Sequence, residues 1–158
     1  MRSADHYLFI IENSLTIRRA EISDAGLLAT LDALIFAAAA YSYASWRDEI
    51  ANPAGEVLLG ESTGQAVAFL SLLHSGEESE IRKIGVSPEV RRQGIARRLI
   101  EYSLPADKKH RCLIDVSDKN AGGVAFYQSL GFRELTRRKK YYADGSDAIV
   151  MERTIHQK

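Results

Sequence analysis

Ile81-Arg82-Lys83-Ile84-Gly85-Val86-Ser87-Pro88-Glu89-Val90-Arg91-Arg92-Gln93-Gly94-Ile95-Ala96-Arg97-Arg98-Leu99-Ile100 reads as a strand, a turn and a helix. The strand ends at Val86, Pro88 marks the turn, and the helix starts near Gly94. A helix start presents backbone N–H groups without intrahelical partners and a partial positive charge, which suits a phosphate. Gly94 and Ala96 remove bulk, so an anion can approach the backbone closely. Arg91, Arg92, Arg97 and Arg98 add charge-assisted contacts. Gly85 within the strand points to a bulge or to close approach of a ligand to the backbone. The stretch is not a Walker loop, because no Gly-Lys-Ser/Thr follows, nor a dinucleotide fingerprint, because the turn holds one glycine. As residues alone it also admits a second reading, a helix start with a solvated arginine cluster.

Working outward, strands and helices alternate. Residues 15–20 read as a strand. Ser23-Asp24 then caps a helix with Leu27, Leu28, Leu31, Leu34 and Ile35 at helical spacing. Residues 34–40 are apolar and Ala-rich, and the nearby Asp32 and tyrosines mark them as a buried helix rather than a membrane span. A second helix covers 43–51 and stops before Pro53. Residues 57–59 and 66–73 form a hairpin about Ser62-Thr63-Gly64. Strands follow at 80–86 and 111–116, with a helix over 94–102 between them. A helix over 121–130 ends at Gly131, and 132–142 with 148–154 close the chain as an antiparallel pair. Mixed elements in this order argue for an α/β (α+β) chain built on one sheet with helices on both faces.

The chain has 158 residues, 46% of them hydrophobic and 27% charged, the profile of an ordinary globular protein. A single cysteine, Cys112, excludes an internal disulfide and fits a reducing compartment. The run Tyr7-Leu8-Phe9-Ile10-Ile11 is too short to span a bilayer and lacks the flanks of a signal peptide. Lysine plus arginine total 21 against 21 acids, so no global charge favours nucleic acid. The distribution is uneven: residues 1–80 carry 4 bases and 12 acids, 81–100 carry 6 and 1, and 133–140 carry 5 and 1. A neutral chain with one concentrated basic segment suits a compact anion, although charge alone favours solvated helix and strand faces.

Arg91-x-x-Gly94-x-Ala96 resembles the pyrophosphate-binding motif of the GCN5-related N-acetyltransferases, the GNAT superfamily. Ile84-Gly85-Val86-x-Pro88 is similar to that family's central strand. The resemblance continues through Asp115-Val116-Ser117-x-x-Asn120 and Ala125-Phe126-Tyr127-x-x-Leu130-Gly131-Phe132. It ends with Arg137-Arg138, Tyr141-Tyr142 and Asp147-Ala148-Ile149-Val150-Met151, which look like the bacterial ribosomal-protein-alanine (S18) N-acetyltransferase subfamily. Residues 81–152 carry most of it.

The resemblance implies the GNAT fold, a mixed, mostly antiparallel twisted sheet of six to seven strands. It implies one acetyltransferase domain over residues 15–156, after an N-terminal extension over 1–14. It further implies acetyl-CoA as co-substrate, with no metal. The pantetheine arm would pair with Ile84, Gly85 and Val86. The pyrophosphate would meet Arg91 and the backbone of Arg92, Gln93, Gly94, Ile95, Ala96 and Arg97. Asn120 matches the cofactor-binding side chain, Tyr127 the proton donor. Asp115 stands where the subfamily has a glutamate general base, with the spacings of 5 to Asn120 and 12 to Tyr127 kept. The expected partners are acetyl-CoA and an amine acceptor, a ribosomal protein N-terminus among them, with no nucleic acid or membrane. The chain would be cytoplasmic, as a monomer or homodimer.

The residues themselves leave other roles open. Asp115 also suits a strand-end cap, and Tyr127, beside Phe126 and Leu130, a core tyrosine. Cys112 is a small buried hydrophobe rather than a nucleophile, since no histidine is spaced to activate it. His74 and His110 look isolated. Tyr41, Tyr43 and Trp46, with Tyr141 and Tyr142, are candidates for an acceptor groove or for packing. The subfamily's Pro-Trp pair before the second helix is missing, and the final loop, Ala143-Asp144-Gly145-Ser146, looks short. The acceptor is therefore open between a protein N-terminus, a small amine and a lysine side chain, with a non-catalytic acetyl-CoA-binding regulator as the remaining alternative.

Overall fold

The computed structural model describes residues 14–105 and 109–155. The apolar run at 7–11 and all of the expected extension but Ser14 lie outside the described residues. Among these, seven strands and four α-helices follow one another: β1 (Thr16–Arg19), α1 (Ala25–Phe36), α2 (Tyr43–Ala51), β2 (Gly55–Ser62), β3 (Gln65–Ser75), β4 (Glu78–Val86), α3 (Ile95–Ser103), β5 (His110–Ser117), α4 (Ala121–Ser129), β6 (Arg133–Arg138) and β7 (Ala148–Ile155). The strands form one mixed sheet in the order β1-β2-β3-β4-β5-β7-β6. β4 and β5 run parallel, joined from Glu78↔Arg111 to Ile81↔Ile114. The pairs β1–β2, β5–β7 and β6–β7 are antiparallel. The residues group into two compact units, 14–72 with Lys83–Ser103, and Leu73–Arg82 with 104–155.

In the first unit β2 is buried at Val57, Leu58, Leu59 and Gly60 in succession, so both its faces are covered. Ala25, Leu28 and Leu31 of α1 and Trp46 of α2 pack with Val57, Leu59 and Phe69. Ile95, Leu99 and Ile100 form the buried stripe of α3. The entry to α1 is fixed by Asp24, whose Oδ2 accepts from the Glu21 amide at 2.7 Å. Arg18 holds the same carboxylate through two hydrogen bonds of 2.8 and 2.9 Å. The β2–β3 hairpin turns at Thr63 and Gly64, with φ of 51° and 79°, the left-handed pair of a type I′ turn.

One expectation changes here, and one glycine gains a further role. Residues 34–40 are not a buried helix: α1 stops at Phe36, a 3-10 turn covers Ala37–Ala39, and Leu34 is 63% exposed. Ala37 breaks the helix, with φ 50° and ψ −115°, a conformation that strains an L residue. Composition alone would let 22–39 cross a membrane, since its mean hydropathy is 1.6. Asp32, fully buried within it, is instead paired inside the unit. Gly85 serves packing: a Cβ there would lie 2.7 Å from Phe69 Cζ and 3.0 Å from Phe36 Cε2.

In the second unit β5 alternates, burying Cys112, Ile114 and Val116. Tyr127, Leu130 and Phe132 are buried with them. Arg111 reaches Glu78 at 2.5 Å and Glu152 at 3.4 Å, and Arg133 meets Glu152 at 3.1 Å, an ion network crossing four strands. β6 is exposed at every residue and shifts register between Glu134 and Thr136. It ends at Arg138, not near 142, because Lys140 takes φ 50° and its amide turns onto Asp147 Oδ1 at 2.9 Å. The connection thus runs from 139 to 147 and is longer than the four-residue loop expected. The histidines are not isolated either. Ser79 Oγ lies 2.6 Å from His74 Nδ1 and 2.6 Å from His110 Nε2, with Ser79 and His110 buried.

Gly85→Ala is expected to cost about 1–3 kcal/mol through overpacking, read as a lower urea midpoint at unchanged slope. A second expectation concerns acid. Burial, and then the nearby His74, hold His110 below the ordinary histidine value of 6.5, while Glu77 and Glu78 partly oppose this. The unfolded chain therefore takes up the proton first, so stability is full above about pH 6.5 and falls as the pH drops from there towards the lowered value. Urea melts across pH should show this fall, and His110→Asn should flatten it. An unflattened profile would assign the acid loss elsewhere.

Candidate active site

The strand–turn–helix segment holds its shape through its own polar groups. The Ser87 amide donates to Val67 O at 2.8 Å, and Ser87 Oγ to Glu89 at 2.7 Å. Hydrogen bonding to Ser87 draws the Glu89 carboxyl below its usual range. Arg91 Nε donates to Val86 O at 3.1 Å, folding this side chain back over the end of β4. Arg92 and Gly94 both take left-handed backbone, φ 62° and 75°, on either side of Gln93. Nothing lies within 4 Å of a Cβ placed on Gly94, so the space over this backbone is open. Gln93 Oε1 is buried without a hydrogen-bond partner. The first turn of α3 carries Ile95, buried, then Ala96 and the exposed Arg97, which faces Glu101 at 4.0 Å. Ile84 and Val86 are half-buried. Open left-handed backbone at a helix start, flanked by arginines, suits an anion.

In the second unit Asn120 is the N-cap of α4, and its Oδ1 accepts from the Gly123 amide at 2.9 Å. Gly123 leaves room for this cap, since a Cβ there would lie 2.5 Å from Asn120 Nδ2. Asn120 thus has a structural task that its sequence position did not reveal. Two turns on, Tyr127 is 6% exposed, edge-on to Phe126 at 5.1 Å and Phe132 at 5.6 Å. Burial, and secondarily Cys112, push its phenol well above the ordinary tyrosine value. The phenol therefore keeps its proton at any ordinary pH.

Asp115, half-buried on β5, lies 3.6 Å from the Arg138 guanidinium of β6. Arg138 also sits over the Tyr141 ring at 5.4 Å, and Tyr141 meets Tyr142 edge-on at 5.1 Å. Burial, then Asp115 and Tyr141, raise the Tyr142 phenol. Asp115, Arg138, Tyr141 and Tyr142 thus form one cluster, although the sequence offered them as separate features. Tyr41 and Trp46 pack together at 5.4 Å, whereas Tyr43 is 54% exposed beside Arg47. Packing accounts for the first two aromatics. Among the described residues no group of three or more His, Cys, Asp or Glu side chains is placed to hold a metal ion.

Residues 28–132 match the model of the acetyltransferase (GNAT) family. The chain belongs to the GNAT acetyltransferases. It is similar to the N-alpha-acetyltransferase RimI of Mycobacterium tuberculosis, 30% identical over 145 residues, which cover 88% of this chain and 92% of that protein. It is similar also to the ribosomal protein bS18-alanine N-acetyltransferase of Escherichia coli K12. Identity there is 36% over 94 residues, 56% of this chain and 64% of that protein. The crystal structure of the ribosomal-protein-S18-alanine N-acetyltransferase from Escherichia coli has the same fold, with a TM-score of 0.77 at 26% identity over 91% of this chain and 96% of that one.

GNAT acetyltransferases use acetyl-CoA, and the donor set at 91–97 has the chemistry for its pyrophosphate: open backbone at Gly94 and exposed arginines around it. Cys112 is fully buried, and burial pushes its thiol up to about 12. In this acetyltransferase Cys112 is expected to resist iodoacetamide at pH 8 and to react only on unfolding. Labelling at the native rate of a free thiol would overturn that placement.

Proposed function

We propose that this acetyltransferase moves the acetyl group of acetyl-CoA to a protein N-terminal α-amine by direct attack. The setting of Asp115 carries this reading. It is a half-buried carboxylate engaged by Arg138 and near Tyr142. A carboxylate is a weak base, so the acceptor must yield its proton cheaply. At pH 7 that costs an α-amine roughly 1–1.4 kcal/mol and a lysine side chain about 4.6 kcal/mol. The similarity over 88% of the chain to a relative named an N-alpha-acetyltransferase supports the same acceptor class.

Acetyl-CoA supplies a thioester carbonyl open to a neutral amine. Ile84, Gly85 and Val86 would pair with its pantetheine arm, and Arg91 with the backbone from Arg92 to Arg97 would hold its pyrophosphate. Asn120 would assist with the part of its side chain that the cap does not use. As the new C–N bond forms and the C–S bond breaks, the amine proton passes to Asp115, directly or through one water. The Tyr127 hydroxyl donates to the departing sulfur. With ordinary values, full transfer from a phenol to a thiolate is uphill by roughly 2 kcal/mol, and burial of Tyr127 adds to this. Tyr127 therefore acts chiefly through a hydrogen bond that strengthens as charge grows on sulfur, which favours the transition state over the ground state. The connection between α1 and α2 in the first unit and the aromatic pair Tyr141 and Tyr142 in the second would each contribute to binding the acceptor.

The test is free-thiol release from acetyl-CoA with the S18 N-terminal peptide, other N-terminal peptides, polyamines, aminoglycosides and lysine peptides as acceptors. Turnover is expected on α-amine peptides. Tyr127→Phe should lower kcat about 100-fold with acetyl-CoA binding kept. Asp115→Asn should lower the rate and move its dependence on pH. Turnover confined to polyamines or lysine peptides would replace the N-terminal reading with a small-amine or side-chain one. Acetyl-CoA binding without turnover on any acceptor would leave a regulator.

A further inference from the structure

Lys83 reaches from β4 into the cluster around Asp32. Its ammonium is 3.0 Å from Asp32 Oδ1 and donates to Ala39 O at 2.8 Å. The Tyr41 ring centroid lies 4.1 Å from it and that of Phe36 4.8 Å. Only 11% of the Lys83 side chain is exposed, and none of Asp32. Asp32 Oδ2 in turn accepts from the Tyr41 amide at 2.8 Å and from Trp46 Nε1 at 3.1 Å. The two charges thus hold the backbone of the α1–α2 connection at two points, Ala39 O and Tyr41 N. Between the end of α1 and these anchors sits Ala37, in left-handed backbone that the connection would relax if it were free. Two residues along the same face of β4, Gly85 makes room for Phe36.

An ion pair this buried is a poor way merely to attach a helix to a strand, because an apolar pair of equal volume does so at least as well. What the charges add is a directional grip on one loop backbone. We propose that Lys83 is a positioning residue: it clamps the α1–α2 connection and thereby sets affinity for the acceptor amine, touching neither substrate. The proposal rests on the acetyltransferase reading above and on this connection lining the acceptor side.

The test pairs amide hydrogen exchange with steady-state kinetics on the full chain, using Lys83→Met and the double variant Lys83→Met/Asp32→Asn. The double variant removes both charges, so an unpaired buried carboxylate cannot explain its behaviour. In both, exchange at residues 40–42 is expected to quicken at least about tenfold while β3 core amides keep their rates. The KM for the acceptor should rise about tenfold, with kcat and the KM for acetyl-CoA within about twofold of wild type. Loop and core amides quickening together would reduce the cluster to general stability and overturn the proposal. So would a freed loop with an unchanged acceptor KM, or equal rises in both KM values. Exchange needs no substrate, so it decides the clamp even if the preferred acceptor is a polyamine. In that case the N-terminal reading fails, and the kinetic arm runs with the polyamine.

Discussion

A carboxylate with no exposed surface must be met by charge and hydrogen bonds or it destabilises the fold. Asp32 is such a group, and meeting it organises much of the first unit. Lys83 comes to it from β4, the Tyr41 amide from the α1–α2 connection, and the Trp46 indole from α2. Trp46 is then held edge-on to Phe69 at 5.1 Å. Phe69 and Phe36 in turn occupy the notch that Gly85 leaves. One buried charge, one long side chain and one missing side chain on neighbouring positions fix how α1, α2 and β4 meet. Apolar packing alone would allow these elements several registers; the polar contacts select one.

Where local chemistry decides, the sequence was legible. The strand–turn–helix at 81–100 and the turn at Thr63-Gly64 follow from proline and glycine, and each stands where it was expected. Where a distant partner decides, it was not. Residues 34–40 have a helix composition, yet the helix stops at Ala37, and the connection beyond it is bonded at Ala39 O by Lys83, remote in the sequence, and at Tyr41 N by Asp32. The strand at 133 stops early because Asp147, across the loop, captures the Lys140 amide. The apolar helix also hid the most consequential acid in the chain. An aspartate inside an otherwise uncharged run was the available signal, and it served only to argue against a membrane span.

The candidate site divides in the same way. Positions carried by motif spacing, Asp115, Asn120 and Tyr127, fall on one strand and the cap and face of the helix that follows it. What surrounds them was not readable: Asn120 spends one oxygen on the helix cap, and Asp115 has Arg138 of β6 for a neighbour. The environment of a reactive group depends on side chains brought in by sheet order, and sheet order is set by the whole chain. The resemblance could therefore suggest Tyr127 as a donor and Asp115 as a base, while the protonation of Tyr127 follows only from its burial.

Ser79 has a single hydroxyl proton and two imidazole nitrogens within 2.6 Å of its oxygen. With both rings neutral it can donate to one and must accept from the other. If it donates to His110 Nε2, then His110 carries its hydrogen on Nδ1, and His74 must carry its own on Nδ1 to complete the chain. If the serine turns, both rings must exchange tautomers together. The two histidines, on different strands, are thus not independent: the orientation of one hydroxyl makes them a two-position element in which neither tautomer can change alone.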